Sequence, residues 1–168
     1  IYSDWIEFVP QCDKDADQAE LALKRFDPRK VIKFFYSDNA PELIKAAERL
    51  KISNPTSTPY CSTSNAKAER RIRLVLEGTR SALEKSGIGV QFWPYAGRHW
   101  CFSQNTKVFD GVSAYFLRHR RWTKAQQIPF GALIDFRPPK PMLAKLPKMG
   151  PRGIPGMFLG YHLQPGGK

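Results

Sequence analysis

Two acids stand where a metal site is easily built. Asp38 follows the apolar run Val31-Ile32-Lys33-Phe34-Phe35-Tyr36-Ser37, which reads as a strand rich in β-formers, and it precedes Asn39-Ala40-Pro41, which opens a helix. In open α/β sheets the carboxyl end of a strand is where ligands and catalytic groups gather. Glu69 falls in the first turn of a long helical stretch, just after a polar loop. A carboxylate at a strand end and another at a helix start can converge on one cation. Hard divalent ions take oxygen ligands, and magnesium keeps one or two carboxylates beside waters and substrate phosphate oxygens. Two such ions ~3.5–4 Å apart activate the attacking oxygen and stabilise the leaving one in phosphoryl transfer. Both residues also have ordinary uses, Asp before Asn as a turn or helix cap and Glu as a partner of the helix dipole. Residue type leaves both readings open.

The elements that must position these acids follow α/β grammar. Tyr2 to Val9 alternates as a buried or half-buried strand that Pro10 stops. Asp13 to Phe26 reads as a helix with Ala16, Ala19, Leu23 and Phe26 on one stripe and Asp13, Asp15 and Asp17 at its positive end. Strand Val31–Ser37 is followed by a helix from Pro41 to about Leu50, with Asp38 or Asn39 near its cap, and by a short extended segment from Ile52 to Thr58. A long helix then runs from about Lys67 to Ser86, closed by Gly87, with the apolar stripe Ile72, Val75, Leu76, Thr79 and Leu83. Val90 to about Lys107 is a second helical stretch whose Phe92, Trp93, Tyr95, Trp100 and Phe102 suit helix packing better than base stacking.

Beyond Asp110 the texture changes to dense Pro and Gly with two β-like runs, Gly131–Phe136 and Gly156–Tyr161. The expected organisation is therefore a core over 1–110 and, over 111–168, a basic linker with the start of a small β module. The charge follows the same division. The chain of 168 residues carries a net charge of +12, and ten of its 27 Lys/Arg residues but only one acid, Asp135, lie after residue 110. Such a block attracts polyanions by summed field and counterion release, although a basic surface with no partner has the same composition. Cys12, Cys61 and Cys101, like His99, His119 and His162, are too scattered for a structural zinc site, and free thiols in a reducing compartment are expected. No apolar run reaches the ~20 residues of a membrane span, and no leader peptide is visible. A nuclear or cytoplasmic location is expected, and a chain opening on Ile rather than Met suits a fragment.

The residues between the acids add a resemblance. Tyr36-Ser37-Asp38-Asn39-Ala40-Pro41-Glu42, and then Ser57-Thr58-Pro59-Tyr60-Cys61-Ser62-Thr63-Ser64-Asn65-Ala66-Lys67-Ala68-Glu69-Arg70, resemble two blocks of the integrase core of retrotransposons, especially the copia type. Downstream, Ile128-Pro129-Phe130-Gly131-Ala132 and Gly156-Met157-Phe158-Leu159-Gly160-Tyr161 are similar to two short blocks that follow that core. The four blocks occur in the family's order and span about residues 1–165. The resemblance implies a ribonuclease H-like fold, a mixed sheet flanked by helices. It also implies polynucleotidyl transfer with magnesium or manganese, DNA ends and target DNA as partners, and self-association. Asp38 then stands for the second of three metal-binding acids and Glu69 for the third, while the first falls before Ile1.

Four departures accompany the match. The first acid is absent. Ala40 replaces the usual Gly. Ser62-Thr63-Ser64 and Asn65-Ala66 replace a Pro-Gln stretch and Asn-Gly. His119-Arg120-Arg121 stands where a turn glycine is expected.

Two basic groups are candidates for DNA contact. Lys67, Arg70, Arg71 and Arg73 crowd the helix that carries Glu69, where cations beside a metal site can hold reacting phosphates, and Asn65 either bonds DNA or caps that helix. Arg118, Arg120, Arg121 and Lys124, with Trp122 among them, either follow a phosphate backbone or form a solvated linker. Two functions therefore stand side by side: an integrase core fragment, and a DNA-binding remnant of a transposable element that has lost its chemistry. The downstream blocks argue against an unrelated ribonuclease H-like nuclease.

Overall fold

The computed structural model describes residues 3–56 and 66–165. It is a mixed helix and strand structure with one small antiparallel sheet. Its elements are α1 (Ala16–Phe26), α2 (Pro41–Arg49), α3 (Ala66–Ser86), α4 (Trp93–Thr106), α5 (Ala114–His119), β1 (Leu133–Phe136), α6 (Lys140–Leu143) and β2 (Ile154–Met157). The segment from Ser57 to Asn65, which carries most of the second motif block, lies outside the described residues.

Local chemistry accounts for most boundaries. Asp15 caps α1 by accepting from Gln18 N–H at 2.7 Å, and the helix stops at Asp27-Pro28. Pro41 sits in the first turn of α2, where its missing N–H costs nothing. Ala40 holds the cap position without a side-chain bond, so the cap expected from Asp38 or Asn39 falls one residue later. Ala40 has φ −68°, an ordinary extended value, so a glycine is not required there. Gly87 closes α3 at φ +66° as the sequence indicates.

The helices pack as two pairs. In the first pair, Ala46 and Ala47 of α2 are fully buried and Ala19 of α1 nearly so, which lets the backbones approach closely. Arg49 bridges to Asp17 and Glu20 at the rim. In the second pair, a Cβ on Gly78 of α3 would lie 2.0 Å from the Trp100 ring of α4, so only glycine admits that indole. Val75 and Thr79 are the buried part of the α3 stripe, while Ile72 and Leu76 stay 59% and 45% exposed. Phe102 of α4 is buried as expected, but Trp93 and Tyr95 lie on the surface.

The run Val31–Ser37 forms a sparse parallel ladder rather than a continuous strand. Phe34 bridges Ser53 and Ser37 bridges Thr56, with α2 as the crossover between them. Trp5 to Pro10 is half-buried as expected, yet among the described residues it makes no backbone ladder. Ile6 instead pairs with a side chain: its N–H donates to Asn105 Oδ1 at 3.0 Å, and Asn105 Nδ2 donates to its carbonyl at 2.6 Å. Asn105 is only 2% exposed and sits near the end of α4. Phe8 lies over Gly97, where a Cβ would come within 2.5 Å of its ring.

The two β-like runs beyond residue 110 do pair. β1 and β2 are antiparallel, with Ile134 opposite Gly156, and the ladder continues through Gly131 and Phe158. The following chain returns to the helical body. Tyr161 stacks on His99 at 5.9 Å and packs against Phe102 at 4.3 Å, and His99 also touches Phe130 and Phe158. The Tyr161 hydroxyl donates to Gln126 C=O and accepts from Ile128 N–H. At the end of α5, Arg120 occupies the left-handed region, φ 57° and ψ 28°. Arg120 lies within the His119-Arg120-Arg121 stretch where the motif resemblance leads one to expect a turn glycine, and it holds a conformation that glycine adopts at lower cost.

Two outcomes follow from this packing. Asn105→Ala leaves two Ile6 backbone groups without their partner and should lower unfolding free energy by about 2–3 kcal/mol in urea titration, whereas a loss below ~0.5 kcal/mol would show that the clamp contributes little. Arg120→Gly should raise stability by about 1 kcal/mol by relieving the left-handed strain, and a destabilised variant would refute that reading of the turn.

Candidate functional site

Asp38 follows directly on the second parallel bridge, where Ser37 meets Thr56, and its side chain is exposed. The Ser37 hydroxyl, itself buried, lies 2.8 Å from the Asp38 carbonyl and 3.1 Å from Asn54 Oδ1, so the turn is fixed at the backbone and the carboxylate is left to solvent. Glu69 lies in the first turn of α3 and is also exposed. The start of α3 is held near the sheet: Ala68, Arg71, Ile72 and Val75 share a cleft of 530 Å³ with Phe35, Phe26 and residues of the 4–8 segment. Both acids therefore belong to elements that border one cleft, three residues beyond Phe35 in one case and next to Ala68 in the other. The described residues contain no group of three His, Cys, Asp or Glu side chains able to hold a metal ion.

The cations expected around Glu69 divide into two kinds. Lys67, Arg70 and Arg73 are exposed on α3. Arg71 is paired at the surface, its Nη2 2.7 Å from Asp4 Oδ1. Asp4 holds a left-handed backbone, φ 49°, so this ion pair ties a bent chain start to α3. No pattern in the sequence joined residues 67 positions apart. Asn65 lies outside the described residues.

The second basic group also divides. Arg120, Arg121 and Lys124 are exposed. Arg118 turns inward: its Nη2 donates to Phe26 C=O, and its guanidinium lies 4.9 Å over the Trp5 ring and 4.5 Å over Phe26. It is part of a charged cluster that sequence reasoning did not find. Glu7 lies beneath it with Arg25 Nε 3.4 Å from its Oε1, and Arg25 Nη2 also donates to Leu163 C=O. A cavity of 330 Å³ runs from Glu7 and Arg25 to Cys101 and Asn105. Trp5 Nε1 and Glu7 Oε2 are both buried without a well-formed partner. An alternating Trp5-Ile6-Glu7-Phe8 run signalled the strand, and an acid at an inward position was the available sign of such a cluster.

Burial pushes the Glu7 carboxyl above the usual carboxylate value, against a smaller opposing pull from the Trp5 indole and from the charges of Arg25 and Arg118. Desolvation likewise lowers Arg118, with Glu7 and Asp27 opposing it. The Cys101 thiol is pushed up to about 12, first by burial and then by Glu7, so it is a packing residue rather than a nucleophile. Cys12 is exposed and free, and Cys61 lies outside the described residues. A raised folded-state value means that the Glu7 contribution to stability is complete below its ordinary value and is lost as pH rises through the raised one. The stability of Glu7→Gln relative to the parent should therefore improve as pH goes from about 4 to about 7. A difference independent of pH in denaturant titrations would show that Glu7 titrates alike in both states.

No helix among the described residues is long and apolar enough to cross a membrane. No family model matches the chain, and no curated protein matches it. Among solved structures the chain is similar to the catalytic core domain of BIV integrase, at 22% sequence identity and a TM-score of 0.47, over 64% of this chain and 71% of that one.

Proposed function

We propose that the chain is part of a copia-type retroelement integrase, with Asp38 and Glu69 as two of its metal-binding acids and DNA as its substrate. The observation that carries this reading is the order of elements around the acids. An extended segment ends at Asp38, a helix crosses over, a second segment runs parallel to the first, and a long helix then begins with Glu69 in its first turn. Motif residues thus fall at a strand end and a helix start bordering one cleft. Both carboxylates are exposed oxygen donors, which suits Mg²⁺ or Mn²⁺; Asp38 and Glu69 would hold the ion, and when bound it would supply charge stabilisation to a phosphoryl transfer. Lys67, Arg70 and Arg73 would orient the phosphates of DNA, with Arg71 joining them only if it leaves Asp4. Self-association on DNA ends belongs to the same reading.

A ribonuclease H-like sheet requires more strands than the two parallel segments among the described residues. The proposed missing partner is a strand bearing the first acid, set beside the cleft that Phe35, Ile72 and Leu76 leave open. The exposed cations Lys67, Arg70, Arg73, Arg121 and Lys124 serve equally a second reading, a DNA-binding remnant without chemistry.

Strand-transfer assays with Mg²⁺ or Mn²⁺, together with Mn²⁺ titrations, separate the two. For the integrase reading, joined product forms, and Asp38→Asn or Glu69→Gln lowers its rate by about 100-fold or more while weakening Mn²⁺ binding. DNA binding that ignores metal, with no product and no effect of either substitution on Mn²⁺, establishes the remnant.

A further inference from the structure

We infer that a second cationic cleft, remote from the acids, binds single-stranded nucleic acid. The cleft has a volume of 650 Å³ and is built from two distant stretches, Asp27–Ile32 after α1 and Arg118–Arg121 at the end of α5. Four guanidinium groups, those of Arg29, Arg118, Arg120 and Arg121, border it against one carboxylate, Asp27. Asp27 Oδ2 accepts from Ile32 N–H at 2.7 Å, which fixes the carboxylate in the wall, and its charge offsets one of the four cations. Arg118 lines the cleft but its guanidinium is turned inward over Trp5 and Phe26, while Arg29 and Arg121 are exposed. The cations are thus gathered by the fold, not merely adjacent in sequence. They also lie at the start of the Val31–Ser37 run, about 20 Å along the chain from Asp38.

Trp122 makes the surface more than a phosphate trap. One face of its indole stacks on Phe116 at 4.7 Å and 27°, yet the residue is 51% exposed. The ring is held on one face by Phe116, and Trp122 follows directly on Arg121, which lines the cleft. Base–aromatic stacking needs an unpaired base, and a basic groove beside an aromatic platform is the arrangement that holds single strands without reading sequence. A duplex keeps its bases stacked inside and can use only the cations.

The partner, nucleic acid, is shared with the function proposed above, but the metal chemistry is not, so the two fail separately. Fluorescence anisotropy of the full chain in EDTA, with labelled oligo-dT of about 20 nucleotides and a duplex of the same length, tests the cleft. Arg29→Ala with Arg121→Ala should weaken both ligands about tenfold at low salt and reduce the slope of log K against log salt on oligo-dT by about 1.4. Trp122→Ala should weaken oligo-dT about tenfold and leave the duplex nearly unchanged, and Trp122→Phe should restore most of the loss. Unchanged affinity and slope in the double arginine variant would overturn the cleft. Equal losses on strand and duplex in Trp122→Ala, with an unaltered melting temperature, would overturn the single-strand assignment.

Discussion

The fold depends on how the Trp5–Phe8 segment is held, with no strand paired to it among the described residues. Ile6 has its two backbone groups paired, but the partner is the amide side chain of Asn105, which presents one acceptor and one donor as a neighbouring strand would. Asn105 can do this because it is buried near the end of α4, where its own geometry is fixed by the helix. The same segment is held by Phe8 over Gly97, by Trp5 against Arg118 and His119, and by Asp4 on Arg71. One short stretch therefore connects α3, α4 and α5. These contacts surround Glu7, whose buried carboxyl is the electrostatic cost of placing a strand-like segment among helices.

That arrangement leaves apolar side chains open in more than one place. Val31 and Phe34 are 69% and 73% exposed, and Ile72 and Leu76 face the cleft instead of a core. Alternating residues of the Lys33–Phe35 stretch bond only towards Ser53, through Phe35 N–H and Lys33 C=O. A strand bonded on one side, beside an apolar cleft, is an edge able to take another strand, since backbone pairing and side-chain burial would be satisfied together. Asp38 stands at the end of this edge. A strand added there would bring its own side chains within reach of the site, which is how a third acid would enter it under the proposed function.

The sequence made the helices legible because their signals are local. Asp15, Pro41 and Gly87 mark helix ends through their own backbone preferences, and α1 to α4 begin or end within a few residues of the expected places. The pairing of the two late β-like runs was also within reach of pattern reading. Periodicity could not show that Ile72 and Leu76 stay exposed, because a stripe reports what a helix is able to bury and not whether a partner is present. The positions of the two candidate acids along the chain were legible to a similar degree. Asp38 and Glu69 stand at element ends that the strand and helix patterns locate. The inward turn of Arg118 and the Asp4–Arg71 pair were not legible, since long-range ion pairs leave no mark on spacing.

The distribution of charge then separates two jobs that composition alone merges. A net positive chain attracts polyanions everywhere, but a cation tied to a carboxylate or an aromatic face contributes field without being free to follow a ligand. Arg25, Arg49, Arg71 and Arg118 are tied in this way and serve mainly to hold elements together. Lys67, Arg70 and Arg73 stand in the open at the acids, and Arg29 and Arg121 stand in the open at the far cleft. Neutralising the tied group should loosen the fold, whereas neutralising the open group should change only what the surface attracts. The total of +12 thus overstates the charge free to meet a polyanion, since part of it is held in pairs within the chain.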